Sequence, residues 1–198
     1  GGDPSLALDV VEQMSEAMIS WCDERGVAYS AMILTNCNLI DEEAAAMLAR
    51  CRVESAFITI DGLEATHNMR RRAANGSNSF ERNVEAAKLF RAHGIQVLAN
   101  MNADRVNWPE FEELRAYLAR EAGVMLSFGR LCDYGHFYGT RDFKKPYFDL
   151  FDHEEFCRLK HEEFASRPFD AATLRALLAP APRFCNGQRD AYYVIDRL

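Results

Sequence analysis

Val53-Glu-Ser-Ala-Phe-Ile-Thr-Ile60 runs straight into Asp61-Gly62, with His67 and Arg71 a short way beyond. The apolar run is β-branched and aromatic, so it reads as a buried strand. Asp61-Gly62 stops it. A helix is expected at about residues 78–93, capped by Asn78 or Ser79 and closed by His93-Gly94. In a parallel α/β domain, ligands bind at the loops beyond the strand C-termini. Thr59, Asp61, His67 and Arg71 are therefore candidate site residues. Taken singly, each is an ordinary turn residue or surface charge.

The same rhythm extends in both directions. Behind Gly1-Gly2-Asp3-Pro4-Ser5, the residues Leu6, Leu8, Val11, Met14, Met18 and Trp21 lie broadly on one helical face, with Gly26 marking the end. Val27–Leu34 reads as a strand, leading into Thr35-Asn36-Cys37. Asp41 is placed to cap a short helix through Arg50. Beyond the central helix, Ile95–Met101 is a strand that brings Asn100 and Asn102 to its end. Trp108-Pro109-Glu110 opens a helix, with proline in the tolerated first turn, carrying Phe111, Leu114 and Leu118 toward Gly123. Asn107 is expected to cap it. Val124–Phe128 is another strand. Helices and strands alternating through short joints are the signature of βα units and a parallel sheet, so the fold class is α/β.

From Gly129 the texture changes. Arg130–Asp152 is rich in aromatics and mixed charge and reads as a long loop or linker. His153–Ala165 and Ala171–Leu178 read as helices, and Pro180-Ala-Pro182 as a break. His153, Cys157 and His161 share one helix face, a spacing open to metal ligation but also that of a docking face.

Composition narrows the function classes. A formal charge of −7 argues against a nucleic-acid groove and against an anionic membrane surface. No apolar run approaches the roughly 18 residues of a membrane span. The six cysteines, at 22, 37, 51, 132, 157 and 185, include no C-x-x-C pair and suit a reducing, cytoplasmic setting.

The central run also matches a family. T-I-D-G-x4-H-x3-R, followed by Gly76 and Ser79-Phe80-Glu81, resembles the S-x-D-G…H-D-x-x-R…G-S-F-E run of radical S-adenosylmethionine (SAM) enzymes, with Thr59 for Ser and Asn68 for Asp. Gly1-Gly2-Asp3-Pro4 is similar to the family's G-G-E-P, with Asp3 for Glu. Thr35-Asn36-Cys37 is similar to its T-N-G, and Cys37 departs from the glycine, whose left-handed backbone would strain another residue. Cys185-Asn-Gly-Gln188…Tyr193-Val-Ile-Asp196 resembles the opening of a SPASM extension.

The resemblance implies a partial, TIM-like parallel barrel over 1–128, a linker and helices over 129–180, and the start of SPASM over 181–198. It implies that the backbone of Gly1, Gly2 and Asp3 receives the amino group of SAM. Asn36, Thr59, Asp61 and Asn100 would border the cofactor pocket. Arg71 and His67 would either order the loop or contact SAM. Cys185 would ligate an auxiliary 4Fe-4S cluster.

The cofactors implied are SAM and a 4Fe-4S cluster that reduces it to a 5′-deoxyadenosyl radical. The partners implied are a peptide or protein substrate, as for maturases and sulfatase activators, and a reductant such as flavodoxin or ferredoxin. The cluster-binding C-x-x-x-C-x-x-C does not occur and is expected upstream of Gly1, so the chain reads as an internal fragment that does not cleave SAM by itself. The alternative reading is a non-catalytic peptide-binding module using strand edges and the aromatic Phe143–Phe151 segment.

Overall fold

The computed structural model describes residues 2–73, 76–131 and 148–166. Gly1, Cys132, Cys185 and the whole 181–198 stretch lie outside them.

A 3₁₀ turn at Pro4–Ala7 leads into α1 (Leu8–Asp23). Then come β1 (Ala31–Thr35), α2 (Glu42–Arg50), β2 (Val53–Thr59), a short α3 (Glu64–Arg70), α4 (Ser79–Ala92) and β3 (Gln96–Ala103). A 3₁₀ turn at Trp108–Glu110 runs into α5 (Phe111–Ala122), which precedes β4 (Leu126–Arg130). The chain from Gly2 to Phe151 is one compact unit. A second begins at Asp152, and its described part is α6 (His153–Ser166).

The four strands lie in the order β1-β2-β3-β4, all parallel. Sequential parallel pairing through helices is what the alternation of elements predicts. One face of the sheet is dry. Ile33, Ala56, Ile58, Val97, Ala99 and Leu126 point into it, toward α2, α4 and α5. Phe90, Leu114 and Leu118 fill it from the helix side with almost no exposure. Each such side chain contributes about 1.5–3 kcal/mol by burial. The opposite face, read across the register, carries Leu34, Phe57 and Leu98 in one row and Thr59, Asn100 and Ser127 in the next. Leu34 remains 56% exposed.

Several sequence expectations shift. The first strand begins at Ala31 rather than Val27. The Val27 amide is drawn back to the Cys22 carbonyl at the close of α1, and the ladder starts only where the Ala31 amide meets the Arg52 carbonyl. α3 forms where no helix is expected from the sequence, because Glu110 serves its N-terminus from outside the segment. The apolar face of α1 stays open, with Leu6, Met14, Met18 and Trp21 exposed, and the buried side holds Ser15 and Cys22. No helix among the described residues is long and apolar enough to cross a membrane.

Candidate functional site

In a parallel sheet all strand C-termini share one edge, so β1, β2 and β3 deliver Thr35, Thr59 and Asn102 to the same side. Thr59 pairs in register with Asn100, and Asn100 with Ser127.

The Gly2-Asp3 loop joins this edge through the Asp3 side chain. Oδ1 of Asp3 accepts from the Ser5 amide at 2.9 Å, the Ser5 hydroxyl at 2.6 Å and the Thr35 hydroxyl at 2.9 Å. Oδ2 accepts from the Asn36 amide. Thr35 Oγ1 in turn accepts from the Cys37 amide at 3.0 Å. One carboxylate therefore caps the 3₁₀ turn and fastens it to the end of β1. Sequence reasoning assigned Asp3 a backbone role only; its side chain is what holds the loop. Cys37 is fully buried with φ +64°, so the strain expected at this departure from glycine is present. Burial, and then the Asp3 charge, push its thiol far above the ordinary range.

Asp61 is the hub of the second cluster and is 5% exposed. Its Oδ1 accepts from the Asn102 amide at 2.8 Å, and its Oδ2 from Arg71 Nε at 2.6 Å. Its own amide donates to His67 Nδ1 at 3.1 Å. With Nδ1 accepting, the neutral ring carries its proton on Nε2, so at this 3.2 Å contact the ring is the donor and the Asn83 side chain accepts by turning its amide oxygen, which otherwise has no partner, toward it. Burial, reinforced by the nearby Arg71 charge, lowers the His67 pKa to about 3. His67 and Asp61 thus order the loop. The Arg71 side chain is 37% exposed, with its Nε pinned to Asp61.

Asn107 does not cap the following helix through its side chain. Nδ2 instead donates to the carbonyls of Asp61 at 2.9 Å and Asn102 at 3.0 Å, and Oδ1 accepts from the Asp104 amide at 2.8 Å. A buried asparagine that stitches two loop carbonyls leaves fewer orphan groups than a cap could, which is why the tertiary role wins. The N-terminus of α3 is served by Glu110. Its Oε2 accepts from the Leu63 amide at 2.7 Å and its Oε1 from the Thr66 hydroxyl at 2.5 Å. Asn68 stands at the α3–α4 corner. Its carbonyl accepts from the Ser79 hydroxyl and the Phe80 amide, and its amide donates to Asn78 Oδ1 at 2.9 Å.

Gly2, Asp3, Asn36, Thr59, Asp61, Arg71 and Asn100 therefore belong to one sheet edge. Gly1 and Cys185 fall outside the described residues. Sequence reasoning missed Arg70, Asp104 and Glu110, because nothing local marks a charge that will be buried against a distant partner. On α6, Cys157 Sγ lies 3.6 Å from His153 Nε2. Among the described residues no group of three His, Cys, Asp or Glu side chains is placed to hold a metal ion. These residues do not fit an iron–sulfur cluster.

No family model and no curated protein matches this chain. Solved structures do. The chain is similar to native anSMEcpe with bound AdoMet at TM-score 0.60 and 22% identity, covering 75% of this chain and 40% of that one. It is similar to native anSMEcpe with bound AdoMet and Kp18Cys peptide at TM-score 0.65 and 21% identity, over 83% and 44%. It is similar to Streptococcus suis SuiB bound to S-adenosylmethionine at TM-score 0.55 and 17% identity, over 83% and 34%. The chain spans less than half the length of each. At these identities the likeness is one of fold: a parallel sheet with alternating helices, matching the partial barrel of radical SAM neighbours.

Proposed function

We propose that this chain is the SAM-binding part of a radical SAM enzyme's barrel, and that the whole protein acts on a peptide or protein. The observation that carries the reading is the convergence of the Gly2-Asp3 loop, Thr35-Asn36, Thr59, Asp61 and Asn100 on one edge of a sheet whose fold matches AdoMet-bound structures. Backbone groups at Gly2 are unobstructed, with open space where a side chain would stand. Asp3 holds that backbone rigid against β1. Thr59, Asn100 and Ser127 offer a row of neutral donors and acceptors above the apolar row of Leu34, Phe57 and Leu98. Such a surface suits a ribose and a flat heterocycle.

SAM, once reduced by a cluster, supplies a radical that removes a substrate hydrogen; that chemistry belongs to the cofactors. The part of this chain is to bind, orient and exclude water. A SPASM extension with Cys185 as an auxiliary-cluster ligand, a reductant such as flavodoxin or ferredoxin, and a cytoplasmic setting complete the reading for the whole protein. The peptide substrate is supported by the peptide complexes of the anSMEcpe neighbour.

The test uses the whole protein, purified anaerobically and supplied with iron and sulfide. With dithionite and AdoMet it is expected to release 5′-deoxyadenosine, whereas the 198-residue chain alone releases none. Asn100→Ala in the whole protein is expected to weaken AdoMet binding by about tenfold, the loss of one to two hydrogen bonds. No 5′-deoxyadenosine from the whole protein would overturn the reading.

A further inference from the structure

Arg70 and Asp104 form an ion pair at 2.7 Å and 2.9 Å, with side-chain exposures of 1% and 0%. A charge pair that dry is held only where many hydrogen bonds offset its desolvation. Asp104 meets that condition. Besides Arg70, its Oδ1 accepts from the amides of Val106 at 3.0 Å and Asn107 at 3.1 Å. The pair joins two things that are otherwise separate. On one side is the Asp61 hub. Arg70 is the last residue of α3 and the neighbour of Arg71, and Asp104 fixes Asn107, which holds the Asp61 carbonyl.

On the other side is the segment Phe148–Phe151. The Arg70 guanidinium lies 5.0 Å from the Phe148 ring centroid. The Arg105 amide donates to the Asp149 carbonyl at 2.8 Å, and Arg105 Nη1 to Asp149 Oδ1 at 2.9 Å and the Leu150 carbonyl at 2.6 Å. Phe151 sits edge-on to Trp108 at 6.3 Å. The segment is irregular in backbone yet seated by these contacts, by the Asp149 amide, which donates to Asp104 Oδ2 at 3.4 Å, and by the Arg105 guanidinium 5.7 Å from the Phe151 ring centroid.

We propose that Arg70 and Asp104 are positioning residues for the Asp61–Arg71 rim, and that seating of Phe148–Phe151 upon them sets the geometry of that rim. The segment covers the ion pair and keeps water from it. Water at the pair weakens its hold on α3 and on Asn107, and both act directly on Asp61. Occupancy of the rim and seating of the segment are then thermodynamically linked, each favouring the other. The value of this link for ligand binding rests on the rim being the SAM site; the mechanical coupling does not.

The experiment compares amide hydrogen exchange in the 198-residue chain and in Arg105→Ala, Arg105→Lys and Phe148→Ala, three changes outside the rim. Arg105→Ala and Phe148→Ala are expected to speed exchange across residues 61–71 by about tenfold or more, while 31–35 and 53–58 are unchanged. Arg105→Lys, which keeps one donor, is expected to lie close to the parent chain. Nitrogen NMR of His67 supplies a second readout. The single Nε2–H tautomer of the parent should give way to a mixture in the two alanine variants. If faster exchange is confined to 103–108 and 148–151 and the His67 signals do not move, the coupling is overturned. Should one alanine variant loosen the whole sheet, the other decides. AdoMet titration of the whole protein is scored separately. Coupling without AdoMet binding leaves this inference standing and removes the ligand reading.

Discussion

His67 shows how much one buried side chain decides at this edge. It accepts a hydrogen bond from the Asp61 amide only while its Nδ1 is unprotonated. In the folded chain its pKa falls from 6.5 to about 3. The unfolded chain therefore binds more protons in that window, and stability falls as the pH drops through it. The slope is about 1.4 kcal/mol per pH unit for one such group. Thermal melting of the parent chain is expected to lose stability from just below neutrality toward pH 4. His67→Gln should flatten that slope while lowering stability at neutral pH. Gly62 is the second residue of this kind. Its φ is +143°, and a Cβ there would stand 2.6 Å from Glu110 Oε2 and 2.8 Å from Thr66 Cγ2. Gly62→Ala is expected to cost about 3 kcal/mol, combining backbone strain with overpacking, measured by urea unfolding.

The elements are fastened by local caps and, at α3, by one from elsewhere. α2 is the simple case, with Asp41 accepting from the Ala44 amide at 2.9 Å. Asp41→Ala should cost about 1 kcal/mol. α3 relies on Glu110, forty-seven residues from the Leu63 amide that it receives. α4 is capped by Asn78 together with Asn68, so the α3–α4 corner is a single hydrogen-bonded joint. The Arg70–Asp104 pair then ties α3 to the end of β3. Asp104→Asn leaves a buried guanidinium without its charge partner and is expected to cost about 3–5 kcal/mol in the same urea titration. Cutting Arg52 and Asp23, a bidentate pair at the surface, should leave the urea midpoint nearly unmoved, because solvent screens them.

At the scale of the whole molecule, helices among the described residues of the Gly2–Phe151 unit pack on one face of the sheet. Parallel sheets are ordinarily covered on both. Here Leu34, Met32 and Leu98 on the open face are exposed, and so is the Val10, Met14, Met18 and Trp21 stripe of α1. β1 and β4 are also sheet edges among the described residues. The isolated 198-residue chain is therefore expected to self-associate as its concentration rises into the tens of micromolar, read by sedimentation velocity. Leu34→Lys should shift that association to roughly tenfold higher concentration, at the cost of about one buried leucine's contribution. Unchanged association in Leu34→Lys would mean that the open face is not the contact.

Much of this was legible along the chain. β-branched runs ending in polar turns marked three of the four strands to within two residues, since pattern and punctuation are local properties. That Thr35, Thr59 and Asn102 share one side of the sheet follows because parallel strands deliver their C-termini together. The start of β1, the short α3 and the role of Asn107 were not legible. Each depends on a partner distant in sequence: the Arg52 carbonyl, the Glu110 carboxylate and the Asp61 carbonyl. The same holds for Arg70 and Asp104, which nothing local marks and which the fold buries against each other. The sequence by itself determined the alternation of elements and the side of the sheet on which polar residues gather. Tertiary structure alone decided which of those residues are spent on holding the rim, as Asp3, Asp61 and His67 are, and which stand in register along the sheet, as Thr59, Asn100 and Ser127 do. The reason is that hydrogen-bond partners and desolvation are set by what packs nearby in space, and a chain's own pattern fixes only its neighbours in line.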